Sequence, residues 1–126
     1  MENNDTTIEI LGQEWLVRYV DDDPAFKVAS GYCEGNERQI VIQNIKIASS
    51  SEEDESDGLG LSKYAQTLNQ KRVLRHEIIH AYLIESGLDA DSHKYDDGWA
   101  TNEEMVDWFA RQSPKIFKTY KELKLL

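Results

Sequence analysis

The sequence predicts an α+β fold, and three observations carry the prediction. Strand-type alternation is confined to the first third of the 126 residues, a polar acidic stretch follows it, and helical periodicity runs from there to the end. That length suits one domain, since domains commonly run to about 100–150 residues. Its expected parts are a β-rich segment at 1–48, an acidic loop at 49–60 and a helical segment at 61–126.

The first strands are expected at Thr7 to Leu11 and Glu14 to Val20, joined by a turn at Gly12-Gln13. Trp15, Val17 and Tyr19 alternate with Glu14, Leu16 and Arg18, which assigns the aromatics and Val to one face. After Asp21-Asp22-Asp23-Pro24 a second hairpin is expected from Lys27 to Cys33 and from Arg38 to Ile47. Its turn, Glu34-Gly35-Asn36-Glu37, contains a Gly-Asn pair that adopts positive φ at little cost. Ile40, Ile42, Ile45 and Ile47 are its packing residues, with a bulge at Asn44 where alternation breaks. The stretch from Ser49 to Gly60 has no apolar period and reads as a solvated linker.

Ser62 is placed to cap a long helix that runs to about Ser86 and stops at Gly87. Tyr64, Ala65, Leu68, Val73, Ile79, Tyr82 and Leu83 supply its apolar surface. Leu88 to Ala100 reads as a loop containing His93, Tyr95 and Trp99. Thr101 then opens a second helix, with Glu104 completing a capping box and Met105, Val106, Trp108 and Phe109 on its buried side. Ser113-Pro114 is expected to end that helix and begin a third, because Pro suits the first helical position. The third would pack on Ile116, Phe117, Tyr120 and Leu123.

Composition narrows the function. A formal net charge of -10 disfavours nucleic acid, whose binding depends on Lys and Arg displacing counterions. Lys115, Lys118, Lys121 and Lys124 read as a solvated helix face, and Lys71, Arg72 and Arg75 form a second basic cluster. No basic segment precedes an apolar run near Met1, and no run of about 18 apolar residues occurs, so neither secretion nor a membrane is expected. Cys33 alone cannot form an internal disulfide or a Cys-rich zinc site. It reads as a small packing residue in a cytoplasmic protein.

The run His76-Glu77-Ile78-Ile79-His80 carries the chemistry. Residues on a helix turn by about 100° each, so His76 and His80 lie about 40° apart on one face, where two imidazoles can share a metal ion. Neutral imidazole suits Zn²⁺, and Glu77 beside the pair can serve as general base toward a zinc-activated water. A catalytic zinc takes three protein ligands and keeps one position open, so a third ligand is needed downstream.

Asn102-Glu103-Glu104-Met105-Val106-Asp107 resembles the Asn-Glu-x-x-Ser-Asp of the gluzincins, the thermolysin-like metallopeptidases, and departs from it at Val106. Glu103 to Ala110 is also similar to the Glu-x-x-Ala-Asn-x-Phe-Ala pattern of the ImmA/IrrE family, with Val106 and Asp107 in place of Ala and Asn. Both likenesses imply Glu103 as the third zinc ligand and Asp107 as the group that orients a ligand histidine. They cover His76 to about Ala110, and the small size is similar to minimal gluzincins and to HExxH proteins of phages and prophages.

The resemblance implies a zincin-like fold: a small mixed or antiparallel sheet on the HExxH helix, two C-terminal helices, and an edge strand that pairs with an extended substrate. Arg38 to Ile47 is the candidate for that strand. It further implies hydrolysis of a protein or peptide substrate, such as an intracellular regulator. The alternative is a binding or regulatory module that keeps the scaffold and cleaves nothing. A metzincin is excluded by Ser86 and Leu83, which stand where its third His and its Gly are needed. A SprT-like site would use His93 instead, although the His-Gly pair and the zinc-ribbon cysteines of that family are missing.

Overall fold

The computed structural model describes residues 5–44, 63–92 and 98–126. Strand β1 (Thr6–Ile10) pairs antiparallel with β2 (Gln13–Val20). The expected hairpin forms, but its turn is Leu11-Gly12, one residue earlier than alternation suggested. Both residues have positive φ, 51° and 85°, the twist that a two-residue hairpin needs between right-twisted strands.

Strand β3 (Gly31–Glu34) starts later than Lys27, because Pro24–Lys27 forms a 3-10 turn. Pro24 sits at its start, and the Asp23 carboxylate accepts from the Ala25 N–H at 2.9 Å. Strand β4 (Gln39–Gln43) pairs antiparallel with β3 and parallel with β2, giving a mixed sheet in the order β1-β2-β4-β3. In the β3–β4 turn the positive φ falls on Arg38, at 53°, and not on the Gly35-Asn36 pair. Arg38 is drawn there by Glu85, whose Oε1 accepts from its Nε at 2.6 Å.

Two expectations about β4 are corrected. It does not bulge at Asn44: the strand ends at Gln43, and Asn44 donates to the Val20 carbonyl at 2.8 Å and to Asp21 Oδ1 at 3.0 Å. Nor is it an edge strand, since it lies between β2 and β3, and the edge on that side is β3. Ile45 and Ile47 fall outside the described residues, as do Ser62 and the acidic loop 49–60.

Helix α1 (Lys63–Glu85) ends two residues before Gly87, as its sequence predicts, and crosses one face of the sheet. Ile10, Trp15, Val17, Ile40 and Ile42 from the strands close over Ala81 to form the main core, all at most 2% exposed. The Trp15 indole N–H donates to Glu85 Oε1 at 2.9 Å, so the largest core side chain and Arg38 share one carboxylate at the end of α1. Gly31 allows close approach here: a Cβ would stand 2.9 Å from Ile42 Cδ1, 3.0 Å from Val73 Cγ1 and 3.1 Å from the Val41 carbonyl.

Within the expected loop after Gly87 the described residues include two helical segments. Helix α2 spans Leu88–Ser92, and a 3-10 turn spans Trp99–Thr101. Helix α3 (Glu103–Glu122) is capped by Asn102, not Thr101: Asn102 Oδ1 accepts from the Met105 N–H at 2.8 Å. The two expected C-terminal helices are one, with Pro114 inside α3. Proline removes the N–H that would bond the carbonyl of Ala110. Arg75 of α1 replaces it, its Nε donating to that carbonyl at 2.7 Å, so the helix continues without an orphaned acceptor.

A second cluster, Leu83, Ala100 and Val106 with Ile79 and Met105, joins α1 to α3. Trp108, Phe109, Phe117, Tyr120 and Leu123, expected to pack, are exposed, as are Tyr64, Leu68 and Tyr82 on α1. Periodicity marks which face is apolar, but these side chains stay largely exposed among the described residues. No helix among the described residues is long and apolar enough to cross a membrane.

Candidate metal centre

The unbroken run of α1 projects His76 and His80 from one face, one turn apart. Helix α3 crosses in front of them so that its first turn presents Glu103. Glu103 Oε1 lies 3.0 Å from His76 Nε2 and 2.7 Å from His80 Nε2, and the two Nε2 atoms are 3.2 Å apart. The rings meet edge to face with centroids 4.9 Å apart. Among the described residues these three form a group able to hold a metal ion.

Two imidazole nitrogens and one carboxylate oxygen suit a transition-metal ion, as in some catalytic zinc and non-haem iron sites, whereas calcium and magnesium favour oxygen alone. Tetrahedral bonds of about 2.0–2.1 Å give ligand-to-ligand edges of about 3.4 Å. The observed spacings of 3.2, 3.0 and 2.7 Å are shorter than this, so the side chains would spread slightly to admit an ion. The Glu103 side chain is 71% exposed while those of the histidines are 19% and 16% exposed, so the side of the site that Glu103 occupies faces solvent.

Glu77 is buried, at 7% exposure. Burial pushes its carboxyl above the usual carboxylate range, Glu103 adds to that, and His76 and His80 oppose it. Asp107 stands with Oδ1 3.4 Å from His76 Nδ1, on the side of the ring away from Glu103. Its carboxyl is held below the usual range chiefly by the hydrogen bond from Arg111, with Arg72 and His76 contributing.

A cavity of about 660 Å³ opens over these residues. His76, Glu77, His80, Glu103, Asp107 and Arg72 line its helical side, and Ala29 to Cys33, including the start of the β3 edge, line the other. Cys33 packs against the core as its composition suggests and also borders this cavity. Burial, with Glu77, Asp89 and Glu34 nearby, pushes its thiol up to about 12, so it is a neutral wall and no nucleophile.

All five residues singled out for the site, His76, Glu77, His80, Glu103 and Asp107, therefore meet at one cleft. His93, the rival ligand, and Tyr95 lie outside the described residues. Arg72 and Arg111 went unnoticed in the sequence as site residues. Arg111 was accessible to pattern, four residues after Asp107 on a helix, but Arg72 reaches Asp107 only through the packing of α1 on α3. Compared with protein-family models, with curated proteins and with solved structures, the chain matches none.

Proposed function

We propose that this protein is a zinc metallopeptidase of gluzincin type, with His76, His80 and Glu103 as ligands and Glu77 as general base. One observation carries the proposal. Atoms of two histidines on α1 and of a glutamate brought from α3 converge within 3.2 Å, with a buried glutamate lining the same cleft. When bound, zinc supplies a Lewis acid that polarises a carbonyl and makes water acidic near neutral pH. Glu77 accepts a proton from the attacking water and delivers it to the departing amine, a task suited to a carboxylate whose proton affinity burial has raised. Asp107, its Oδ1 3.4 Å from His76 Nδ1, is placed to orient the His76 ring so that Nε2 faces the ligand cluster.

The substrate is an extended peptide segment. Strand β3 has one strand neighbour among the described residues and borders the cleft, so its outer side takes the pairing role first expected of β4. The test is zinc content after purification without chelator, together with mass-spectrometric cleavage of a mixed peptide library. Wild type and Glu77→Gln should carry stoichiometric zinc, His76→Ala and Glu103→Ala should lose it, and only wild type should cleave. Zinc-free wild type sinks the metal site, and full turnover by Glu77→Gln sinks the general-base assignment. Zinc without turnover in wild type would instead favour a binding module built on the same scaffold.

A further inference from the structure

The cleft has a direction and a charge polarity. Its helical wall follows α1 from Arg72 through His76 and His80 to Ile84, and Asp89 of α2 stands beyond that end. Strand β3 runs the same way as α1: a Cβ on Gly31 would stand 3.0 Å from Val73 Cγ1, and one on Gly35, just past the strand, 3.0 Å from Ile84 Cγ2. Antiparallel pairing is slightly the more stable kind, and a peptide so paired with β3 has its N-terminal part near Ile84 and its C-terminal part at Arg72. Arg72 lies one turn, about 6 Å, before His76, a length that an extended chain covers in about two residues. It carries the one guanidinium or ammonium group among the described lining residues, and Asp89 marks the opposite end.

Arg72 is anchored without being used up. Its Nη1 donates to Asp107 Oδ1 at 2.9 Å and its Nη2 to Asn69 Oδ1 at 2.6 Å, which fixes the guanidinium plane in a side chain only 26% exposed. Its Nε–H and the second N–H of each Nη have no partner among the described residues. Asp107 does not cancel the charge, because Arg111 Nε donates to its Oδ2 at 2.7 Å, so two cations face one carboxylate. We propose that Arg72 is a specificity-determining residue that receives a substrate carboxylate about two or three residues C-terminal to the cleaved bond. That carboxylate is an Asp or Glu side chain or the free end of the peptide. A fork of donors fixed in advance matches a carboxylate, whereas Asp89 repels one placed at the other end of the cleft. The inference rests on the peptidase proposed above and on pairing with β3. If Arg72 serves only to tie α1 to α3, it predicts no preference among substrates.

The experiment digests a mixed peptide library, made with free and with amidated C-termini, and reads the cleavage sites by mass spectrometry for wild type, Arg72→Met, Arg72→Gln and Arg111→Met. The same libraries are passed over immobilised Glu77→Gln protein, with and without Arg72→Met, and the retained peptides are identified. Wild type should favour Asp and Glu over Asn and Gln about tenfold at the second or third position after the cleaved bond, the effect of one charge-assisted hydrogen bond in a partly exposed site. Both Arg72 variants should bring that ratio to parity, and Arg111→Met, which does not line the cleft, should keep it. A ratio taken within one variant cancels any general loss of zinc or turnover. Preference that survives amidation supports the proposal with a side-chain carboxylate, and preference confined to sites near the free end and lost on amidation supports it with the terminal one. Equal ratios in wild type and Arg72→Met overturn it, as does an acidic preference on the N-terminal side of the bond. Should Arg72→Met not fold, Arg72→Gln carries the comparison. If wild type cleaves nothing, the peptidase fails, while retention of acidic peptides on the immobilised protein and its loss with Arg72→Met still decide the role of Arg72.

Discussion

Replacing Arg75 with Met should destabilise the protein by about 1–3 kcal/mol, and most of that loss should disappear when Pro114 is also replaced by Ala. The magnitude follows from one acceptor. Pro114 has no N–H, so the carbonyl of Ala110, a residue with no exposed surface, is bonded by the Arg75 Nε at 2.7 Å. Removing that donor strands a buried carbonyl, at a cost of about 1–3 kcal/mol. In the Pro114→Ala background the new backbone N–H can reach the same carbonyl, and Arg75→Met should then cost no more than about 0.5 kcal/mol. The double-mutant cycle should thus return a coupling of about 1–2 kcal/mol, read from urea denaturation of the four metal-free proteins. Additivity within about 0.5 kcal/mol would refute the argument, because it would mean that Arg75 does not stand in for the missing amide.

Three further outcomes are expected. Asn102→Ala should cost about 1 kcal/mol by removing the cap on the Met105 N–H, and should also weaken zinc binding because Glu103 begins the helix that Asn102 caps. Isothermal zinc titration beside a urea curve separates the two effects, and unaltered zinc affinity would show that the first turn of α3 holds without its cap. Gly31→Ala should cost about 1–3 kcal/mol in urea denaturation, since its Cβ meets the fixed Val41 carbonyl as well as two side chains; a neutral result would show that β3 can move away from α1. Arg38, and then Trp15, hold the Glu85 carboxyl below its ordinary value. A depressed value means stability present above the unfolded pKa of about 4.3 and lost as pH falls through the folded one. Glu85→Gln should therefore flatten the acid side of the stability profile below about pH 5, and parallel profiles for the two proteins would contradict this.

Features set by local chemistry were legible in the sequence. Alternation placed Trp15, Val17, Ile40 and Ile42 in the core, the Gly87 stop was evident, and helical spacing brought His76, His80 and Glu77 to one face. Features that depend on a partner from another element were not. Pro114 reads as a helix boundary until Arg75 is known to serve its carbonyl, and β4 reads as an edge until β2 is found beside it in parallel. Trp108 and Phe117 lie on helical faces whose periodicity is sound, yet burial requires a neighbour, and among the described residues both stay at least half exposed. Asn102 took the cap from Thr101 by a single residue, the usual margin of error where two side chains can each cap.

The division of the three ligands between α1 and α3 has a thermodynamic consequence. An ion held by both helices binds the folded chain and has no equivalent site once they separate, so on the proposed reading folding and zinc activity are linked. Free zinc at one hundred times its dissociation constant would add about 2.7 kcal/mol to the unfolding free energy, a large share of what a domain of this size possesses. Resistance to unfolding would then follow the zinc level of the surroundings, rising by about 1.4 kcal/mol per decade above saturation. The lifetime of the protein and its competence to act would be set by the same ion.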